Sequence, residues 1–372
     1  MEFRDLKLQY EKLKPEIDAA VAGAISGGRF IMGAEVRGLE EELASYVGVR
    51  HCLSCANGTD ALTLALKAWG VGPGDAVFVP DFTFFASAET IAAEGAEPVF
   101  VDVCEDSFNI DCDDLERAIQ EVLAEGRLKP KAMVAVDLFG LPADFRRLRA
   151  IADQFGLLIL EDGAQGFGGS LDGMRACSFG DIATTSFFPA KPLGCYGDGG
   201  AVFTDNDEWA ELIGSLRIHG KGSNKYENVR LGLNSRLDTV QAAILQVKFK
   251  AFRDYELEAV NAAAKKYDAR MAGLVNVPVV AEGFGSSWAQ YTIRLKDAAQ
   301  RAKVQEALKT VGIPSMVYYP APMHAQKAFS GLKVRECPVA TELCGTVLSL
   351  PMHPYITDAQ IDAVCTAITS AL

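Results

Sequence analysis

Lys191 and Asp162 are the residues whose types and surroundings point most directly to chemistry. Lys191 lies in the run SFFPAKPLG at residues 186–194, and Asp162 follows Glu161 at the end of the apolar run 157–160. A lysine that attacks a carbonyl must be neutral, and apolar neighbours favour the neutral amine. A carboxylate at the end of a rigid strand can keep a pyridine nitrogen protonated, which makes the ring an electron sink. The pattern predicts a pyridoxal 5'-phosphate enzyme with Lys191 and Asp162 as catalytic residues, although Lys191 alone would be compatible with a surface loop.

Two segments could hold the phosphate of such a cofactor. Asn57, Gly58 and Thr59 lie between a predicted strand and a predicted helix, where backbone N–H groups have no partner within the helix. Ser186 offers a second hydroxyl, which only the fold could bring to the same phosphate. An isolated Asn-Gly-Thr is equally compatible with an ordinary helix N-cap, so both interpretations stay open.

Side chains after two other predicted strands could contact the cofactor ring. Phe84 follows the strand at residues 76–80, so its ring could lie flat over a bound heterocycle, although such a ring is also common in a core. Gln165 comes three residues after Asp162 and could reach the phenolic oxygen of the ring. Because a buried, unpaired aspartate is costly, Asp162 is expected to have a charged partner, which a protonated ring nitrogen would provide.

Length and composition indicate a globular enzyme. The chain has 372 residues, of which 49% are hydrophobic, which predicts one large and one small domain. The pattern of the chain changes near residue 250, so we expect a large cofactor-binding domain with an N-terminal arm at residues 1–250 and a small C-terminal domain at 251–372. The first residues lack the apolar core of a signal peptide, and no stretch reaches the ~18 apolar residues that span a bilayer, so a cytoplasmic location is expected. The net charge of −13 argues against binding to nucleic acid or to a membrane surface.

Cysteines and basic residues show two further patterns. The nine cysteines are odd in number and irregularly spaced, which does not indicate a disulfide framework. Cys52 and Cys55 form a CxxC without a second pair or a nearby histidine, so we predict no metal site and interpret both as small strand residues. Residues 217–236 contain Glu227 as their single acid and could bind an anionic substrate or form a solvated loop. The basic residues of this segment are Arg217, His219, Lys221, Lys225, Arg230 and Arg236.

Strand and helix signals alternate through the first two thirds of the chain, which predicts an α/β fold with a mostly parallel sheet flanked by helices. The predicted strands are residues 51–55, 76–80, 98–102, 132–137 and 157–161, and the predicted helices are residues 59–69, 87–94, 111–125 and 144–155. Right-handed crossovers would place the carboxyl ends of the strands at one edge, where ligands bind. A long helical stretch from residue 239 to about 274 leads to a smaller α+β domain, with strands at 291–295 and 348–351 and a helix at 298–311.

These segments together resemble the DegT-type sugar aminotransferases, a branch of the fold type I pyridoxal phosphate enzymes related to aspartate aminotransferase. The resemblance extends from Phe3 to about residue 355, and its most specific blocks are residues 54–62, 161–165, 185–200, 234–238 and 349–353. It implies that Lys191 bonds covalently to the cofactor, that Asp162 binds the pyridine nitrogen and that Gln165 contacts the ring oxygen. Gly58, Thr59 and Ser186 would hold the phosphate. In the family an asparagine of the neighbouring subunit completes this site, and Asn234 matches it, which implies a homodimer with shared active sites.

The resemblance also implies the substrates. L-glutamate would give its amino group, and a keto sugar attached to a nucleotide diphosphate would accept it, with Lys191 moving the proton as general acid and base. The stretches 186–200 and 349–355 look most like the bacterial enzymes that aminate C3 of UDP-2-acetamido-2-deoxy-3-oxo-glucuronate, an intermediate of surface polysaccharides. By that likeness the residues that line the sugar-nucleotide pocket are Gly28, Phe30, Arg236, Tyr318 and Tyr319.

Two positions depart from this subgroup, and two alternative functions stay open. Ala190 stands where serine is usual, and Tyr318 stands where histidine is usual. Arg236 could bind either a carboxylate or a phosphate oxygen. The first alternative is C4 amination of a nucleotide-linked 4-keto-6-deoxy sugar. The second is a regulatory or binding protein that keeps the fold and the cofactor without turnover, against which the combination of Lys191, Asp162 and Gln165 argues.

Overall fold

The structure is a computed structural model that describes residues 1–224 and 226–372. Lys225, one of the basic residues of the 217–236 segment, lies outside the described residues. None of the described helices is long and apolar enough to cross a bilayer.

The regular elements alternate along most of the chain. The strands are β1 (His51–Cys55), β2 (Asp75–Pro80), β3 (Glu97–Val101), β4 (Lys129–Val136), β5 (Leu158–Asp162), β6 (Ser170–Leu171), β7 (Met174–Arg175), β8 (Ile182–Ser186), β9 (Gly200–Thr204), β10 (Phe284–Gly285), β11 (Tyr291–Arg294) and β12 (Val347–Leu350). The α-helices are α1 (Leu6–Gly27), α2 (Ala34–Val47), α3 (Gly58–Ala68), α4 (Ala86–Ala93), α5 (Cys112–Glu125), α6 (Phe145–Phe155), α7 (Asp207–Leu216), α8 (Thr239–Ala251), α9 (Leu257–Met271), α10 (Ala298–Thr310), α11 (Pro338–Thr346) and α12 (Asp358–Thr369).

The central sheet has the strand order β1-β9-β8-β5-β4-β2-β3. Strands β8, β5, β4, β2 and β3 pair in parallel, whereas β9 is antiparallel to both of its neighbours, β8 and β1. All of these strands except β9 therefore point in one direction, and their carboxyl ends meet at one edge. This confirms the predicted α/β fold with a mostly parallel sheet flanked by helices.

Helix α5 illustrates why the helices form and cover the sheet. The Asp111 side chain accepts hydrogen bonds from the N–H groups of Asp113 and Asp114, which caps the start of the helix. Glycine follows its last residue, and Gly126 has φ of 67°, a conformation that favours glycine. Its buried apolar residues recur at helical spacing and pack beneath β2 and β4: Leu115, Ala118, Ile119 and Val122.

Most elements predicted from the sequence are present, with ends shifted by one to three residues. The sequence did not predict α1 and α2, nor the adjacent strands β8 and β9. Helix α1 contains Pro15 in its interior, which hides a helical signal because proline usually interrupts helices. Strand β8 reads Ile-Ala-Thr-Thr-Ser, and its first four residues are buried although its composition is only weakly apolar.

The C-terminal part has its own apolar core. Strands β11 and β12 pair antiparallel, and α9, α10 and α12 surround them. The long helical stretch predicted from residue 239 is present as α8, the π-helical turn Phe252–Glu256 and α9. The division of the chain into domains 1–250 and 251–372 stays a prediction.

Candidate active site

A cavity of about 390 Å³ opens at the carboxyl edge of the central sheet. It receives the residues that follow β1, β2, β5 and β8, as expected for a sheet whose strands point in one direction. The predicted site residues that line it are Gly58, Thr59, Phe84, Asp162, Gln165, Ser186, Lys191, Tyr318 and Tyr319. The fold therefore brings together residues that are up to 261 positions apart, from Gly58 to Tyr319.

Asp162 is the acid that faces this cavity. It is 5% exposed, and it accepts hydrogen bonds from the Ser87 hydroxyl at 2.7 Å and the Ala164 N–H at 3.2 Å. Burial raises the pKa of Asp162, while both hydrogen bonds and the charge of Lys191 oppose that rise. The preceding Glu161 points to the other side of β5. Asp162 is thus a buried carboxylate that forms no ion pair with a lysine, arginine or histidine within 4.0 Å among the described residues.

Glu161 is held by the loop after β7. It accepts the backbone N–H of Phe179 at 2.7 Å and of Gly180 at 3.1 Å, and it also accepts the N–H of Cys177. Burial raises the pKa of Glu161 to about 7 in spite of these donors. Glu161 therefore binds backbone N–H groups, whereas Asp162 borders the cavity.

Lys191 lies in the loop between β8 and β9, opposite Asp162. Burial lowers the pKa of its amine, and the positive charge of Arg4 lowers it further, while the charge of Asp162 raises it. Because the neutral amine is the nucleophile, the lowered pKa increases the reactive fraction. This is the environment that the apolar neighbours of Lys191 predict.

A narrow cradle forms where α3 begins beside the end of β8. The Asn57 side chain accepts the N–H of Asp60 at 2.8 Å, so the N-cap interpretation of this segment is confirmed. A Cβ atom on Gly58 would lie 2.8 Å from Cβ and 3.2 Å from Oγ of Ser186, so the close approach requires glycine. The first N–H groups of α3 and the Ser186 hydroxyl thus border the same end of the cavity, and an anion fits there.

Gln165 and Tyr319 form the wall of the cavity next to Asp162. The backbone N–H of Phe139 donates to Oε1 of Gln165 at 2.7 Å, which fixes the amide so that Nε2 donates to the Tyr319 hydroxyl at 3.0 Å. Burial raises the pKa of Tyr319, so its hydroxyl is neutral at physiological pH. The Phe84 ring is 54% exposed and lies 6.3 Å from the Tyr319 ring. Both aromatic rings therefore border the space above Asp162.

Three cavity contacts were not predicted from the sequence. Ser87, on α4, donates to Asp162, and Arg4 contacts the Lys191 loop from the N-terminus. Oε1 of Gln290 is buried beside the cavity and has no hydrogen-bond partner among the described residues. Ser87 follows Phe84 by three residues, and this closeness to a predicted site residue was the available signal for it. Nothing near Arg4 or Gln290 in the sequence indicates a link to the site.

Four predicted site residues lie outside the cavity of this chain. Phe30 O accepts the N–H of Thr239 at 2.9 Å, and a bridge joins Ile31 to Asp238, so the segment after α1 lies beside the segment before α8. Arg236 donates to the Asn234 side chain. The four residues that this pairing gathers in a second region are Gly28, Phe30, Asn234 and Arg236. Their roles toward cofactor and substrate stay predictions.

Comparison with known proteins gives likenesses over the whole chain. Residues 11–369 match the DegT/DnrJ/EryC1/StrS aminotransferase family. The chain is 44% identical over 371 residues to the UDP-2-acetamido-2-deoxy-3-oxo-D-glucuronate aminotransferase of Pseudomonas aeruginosa, with 100% of each chain covered. It is 43% identical over 361 residues to a pleiotropic regulatory protein of Geobacillus stearothermophilus, covering 96% of this chain and 94% of that protein. The solved structure of a DegT DnrJ EryC1 StrS aminotransferase from Brucella abortus is 47% identical, with a TM-score of 0.97 and coverage of 100% of this chain and 99% of that chain.

Proposed function

The chain belongs to the DegT/DnrJ/EryC1/StrS aminotransferase family, and we propose that it moves the amino group of L-glutamate onto C3 of UDP-2-acetamido-2-deoxy-3-oxo-glucuronate. The observation that carries the proposal is the cavity in which Lys191, Asp162 and Gln165 meet beside the cradle at Gly58. The choice of sugar rests on the 44% identity to the Pseudomonas aeruginosa enzyme of that name.

The residues of the cavity fit pyridoxal phosphate, the cofactor of this family. The cradle between Gly58 and Ser186 excludes a Cβ atom and offers N–H and hydroxyl donors for a phosphate. Asp162 is a buried acceptor for a protonated ring nitrogen. The side-chain amide of Gln165 donates one N–H to Tyr319, and its second N–H could donate to the ring oxygen. Phe84 would cover the ring. When bound, the cofactor would supply the electron sink for the electron pair released at the substrate carbon.

The side chains of this chain supply proton transfer and positioning. Lys191 Nζ would take the proton from Cα of the donor and, in the second half of the cycle, deliver a proton to C3 of the sugar. The lowered pKa of Lys191 favours the neutral amine, which is the form that accepts a proton. The hydrogen bonds from Ser87 and Ala164 favour the ionised form of Asp162 and oppose the effect of burial on its pKa. Tyr319 and Phe84 border the space above it.

A homodimer is part of the proposal. Phe30, Ile31, Val229 and Leu231 are large apolar residues that are 50%, 43%, 52% and 94% exposed in the single chain. They lie beside Asn234 and Arg236, which the cavity of the same chain does not include. Burial of this surface against a second copy would be favourable and could bring Asn234 and Arg236 to the partner's cavity. Arg236 would then bind the sugar carboxylate or a phosphate. The expected cytoplasmic location stays a prediction.

The two alternative functions, C4 amination and a regulatory role without turnover, each have one observation in their favour. Ala190 and Tyr318 differ from the residues expected for the C3 subgroup, which is the observation in favour of a nucleotide-linked 4-keto-6-deoxy sugar as acceptor. The likeness to a pleiotropic regulatory protein is the observation in favour of a site without turnover. The lysine, aspartate and glutamine that turnover requires are all present at the cavity, which favours the enzyme.

The test is a direct assay of amino transfer. The protein is incubated with pyridoxal phosphate, L-glutamate labelled at its amino nitrogen, and either the 3-oxo-glucuronate generated in situ or a UDP-4-keto-6-deoxy sugar. The expected result is a labelled amino uronate by mass spectrometry, with no product from Lys191→Ala. Product from the 6-deoxy sugar alone would replace the C3 assignment by C4 amination. No labelled product from either sugar, with the cofactor bound, would refute both assignments.

A further inference from the structure

The first five residues form a strap that crosses from the C-terminal part of the chain to the Lys191 loop. The carbonyl of Phe3 accepts the N–H of Met352 at 3.1 Å, and the Phe3 ring lies edge-on to Tyr318 with centroids 6.3 Å apart. Asp5 ends the strap by capping α1 through the N–H of Leu8 at 2.8 Å. Arg4 is therefore fixed on both sides, by Phe3 and by Asp5. We call residues 1–5 the N-terminal strap.

Arg4 uses its guanidinium on the backbone of the Lys191 loop. Nη2 donates to the carbonyl of Lys191 at 2.8 Å and lies 3.4 Å from the carbonyl of Pro192. Within residues 1–224 and 226–372, Arg4 forms no ion pair with a carboxylate. Burial lowers the pKa of Arg4 to about 10, and the charge of Glu256 only partly opposes this. A half-buried arginine that binds carbonyls rather than a carboxylate holds the backbone at a cost that an apolar residue would not incur.

Among the described residues, Arg4 is the hydrogen-bond donor to the carbonyl of Lys191, and the backbone bonds nearest to Lys191 lie within the loop. The Lys191 N–H donates to Phe188 O at 2.8 Å, and the Cys195 N–H donates to Phe187 O at 2.8 Å. Both bonds are local turns within residues 186–195, and they leave the carbonyl side of Lys191 to Arg4. The direction in which a side chain leaves the backbone follows the orientation of its flanking peptide groups. Arg4 thus anchors the outer half of the loop to a segment 187 positions away.

We propose that Arg4 is a positioning residue for Lys191, which fixes the loop backbone so that the Lys191 amine is presented to the cofactor. The inference rests on the proposed role of Lys191 as the residue that bonds to the cofactor. It assigns a task to the N-terminal strap, which would otherwise be only an extension before α1.

The positive charge of Arg4 also acts on Lys191, because it favours the neutral form of the amine. The groups that act on the Lys191 amine are Asp162, which favours the charged form, and Arg4, which disfavours it. The titratable groups around Arg4 itself are Glu256, Lys248 and His353. Removing the guanidinium therefore raises the pKa of Lys191 and reduces its neutral fraction. Lysine at position 4 keeps the charge but cannot repeat the planar guanidinium contacts.

The experiment measures Lys191 itself rather than turnover. Arg4→Met, Arg4→Lys and wild type are freed of cofactor, and Lys191 is acylated competitively over a pH series and quantified by mass spectrometry. Covalent uptake of pyridoxal phosphate is then timed by borohydride trapping on Lys191. For Arg4→Met we expect the labelling midpoint to rise by about half a unit to one unit and uptake at neutral pH to slow by about three- to tenfold. Arg4→Lys keeps the wild-type midpoint and slows uptake less.

The controls separate this inference from the proposed function. Arg117→Met removes an exposed arginine that pairs with Asp114 far from the loop, and it should behave as wild type. Wild-type midpoint or wild-type uptake in Arg4→Met overturns the inference. If Arg4→Met does not fold, Arg4→Lys decides, because uptake at the wild-type rate overturns the inference and slower uptake supports it. Failure of the wild-type protein to trap cofactor on Lys191 refutes the proposed function and the inference that rests on it.

Discussion

Gly58→Ala is the substitution that tests the phosphate cradle with the least change. The added Cβ would lie 2.8 Å from Cβ and 3.4 Å from Cα of Ser186, and the backbone of Ser186 has no flexible end that could move aside. Alanine itself suits the first turn of a helix, so α3 should still form. Relief of the contact must separate the start of α3 from the end of β8, and this widens the space between the phosphate donors. Overpacking of this kind costs about 1–3 kcal/mol.

The expected consequence is weaker cofactor binding. If the strain is relieved only by spreading the cradle, the Kd for pyridoxal phosphate rises by about 5- to 150-fold. The assay titrates cofactor-free protein with pyridoxal phosphate by absorbance and follows thermal unfolding of the same samples. Gly23→Ala is the matched control, because a Cβ at Gly23 of α1 meets nothing within 4 Å. It should leave the Kd unchanged and should not lower the unfolding temperature, because alanine is the better helix former.

One result would refute the reasoning about the cradle. Gly58→Ala that unfolds at a lower temperature but binds pyridoxal phosphate with a Kd within about twofold of wild type would show that the strain is relieved elsewhere. The phosphate would then be held away from Gly58, and the shared border of α3 and β8 would be only a packing contact.

The remaining predictions concern Asp162, His353 and Arg236. Ser87→Ala removes a 2.7 Å hydrogen bond to Asp162, so the pKa of Asp162 should rise by about one unit or more. On acidification, the cofactor affinity of this variant should therefore begin to fall at a higher pH than that of wild type. Thr90→Val on the same helix is the control, and superimposable pH profiles of cofactor affinity for Ser87→Ala and wild type would contradict the assignment. Burial lowers the pKa of His353 from 6.5 to about 4, so the unfolded state binds the extra proton between these values, and the free energy of unfolding should fall by about 3 kcal/mol as the pH falls through this window. In denaturant titrations, His353→Leu should lose that part of the pH dependence, whereas His219→Asn should keep it. If the free energy of unfolding changed equally with pH in wild type and His353→Leu, this would count against a buried neutral imidazole at His353. Arg236→Ala should raise the KM of a uronate substrate at least about tenfold more than that of a 6-deoxy sugar, because only the uronate offers a carboxylate; equal losses would remove Arg236 as its ligand.

Local patterns in the sequence were sufficient for most of the central sheet. The alternation of apolar runs and amphipathic segments predicted β1 to β5 and α3 to α6 within a few residues, because each of these elements carries its own periodic signal. The site residues at strand ends followed from the same reading, since parallel strands bring their carboxyl ends to one edge. Lys191, Asp162 and Gln165 were recognisable by residue type and neighbours alone.

The strands next to Lys191 were not predictable in this way. Strand β8 has a weak apolar signal, and β9 gains its burial only by lying antiparallel between β8 and β1. Whether a short segment becomes a strand depends on the partners that surround it, and these come from distant parts of the chain. The sequence therefore indicated the loop that carries Lys191 but not the strands that hold it.

The sequence by itself determined which chemical groups are available and on which elements most of them lie. Only the tertiary structure decided which of them meet: Ser87 with Asp162, Gly58 with Ser186, and Arg4 with the carbonyl of Lys191. It also placed Asn234 and Arg236 away from the cavity of their own chain. The physical reason is that periodicity is a property of neighbouring residues, whereas a hydrogen bond across 187 positions depends on how every intervening element packs.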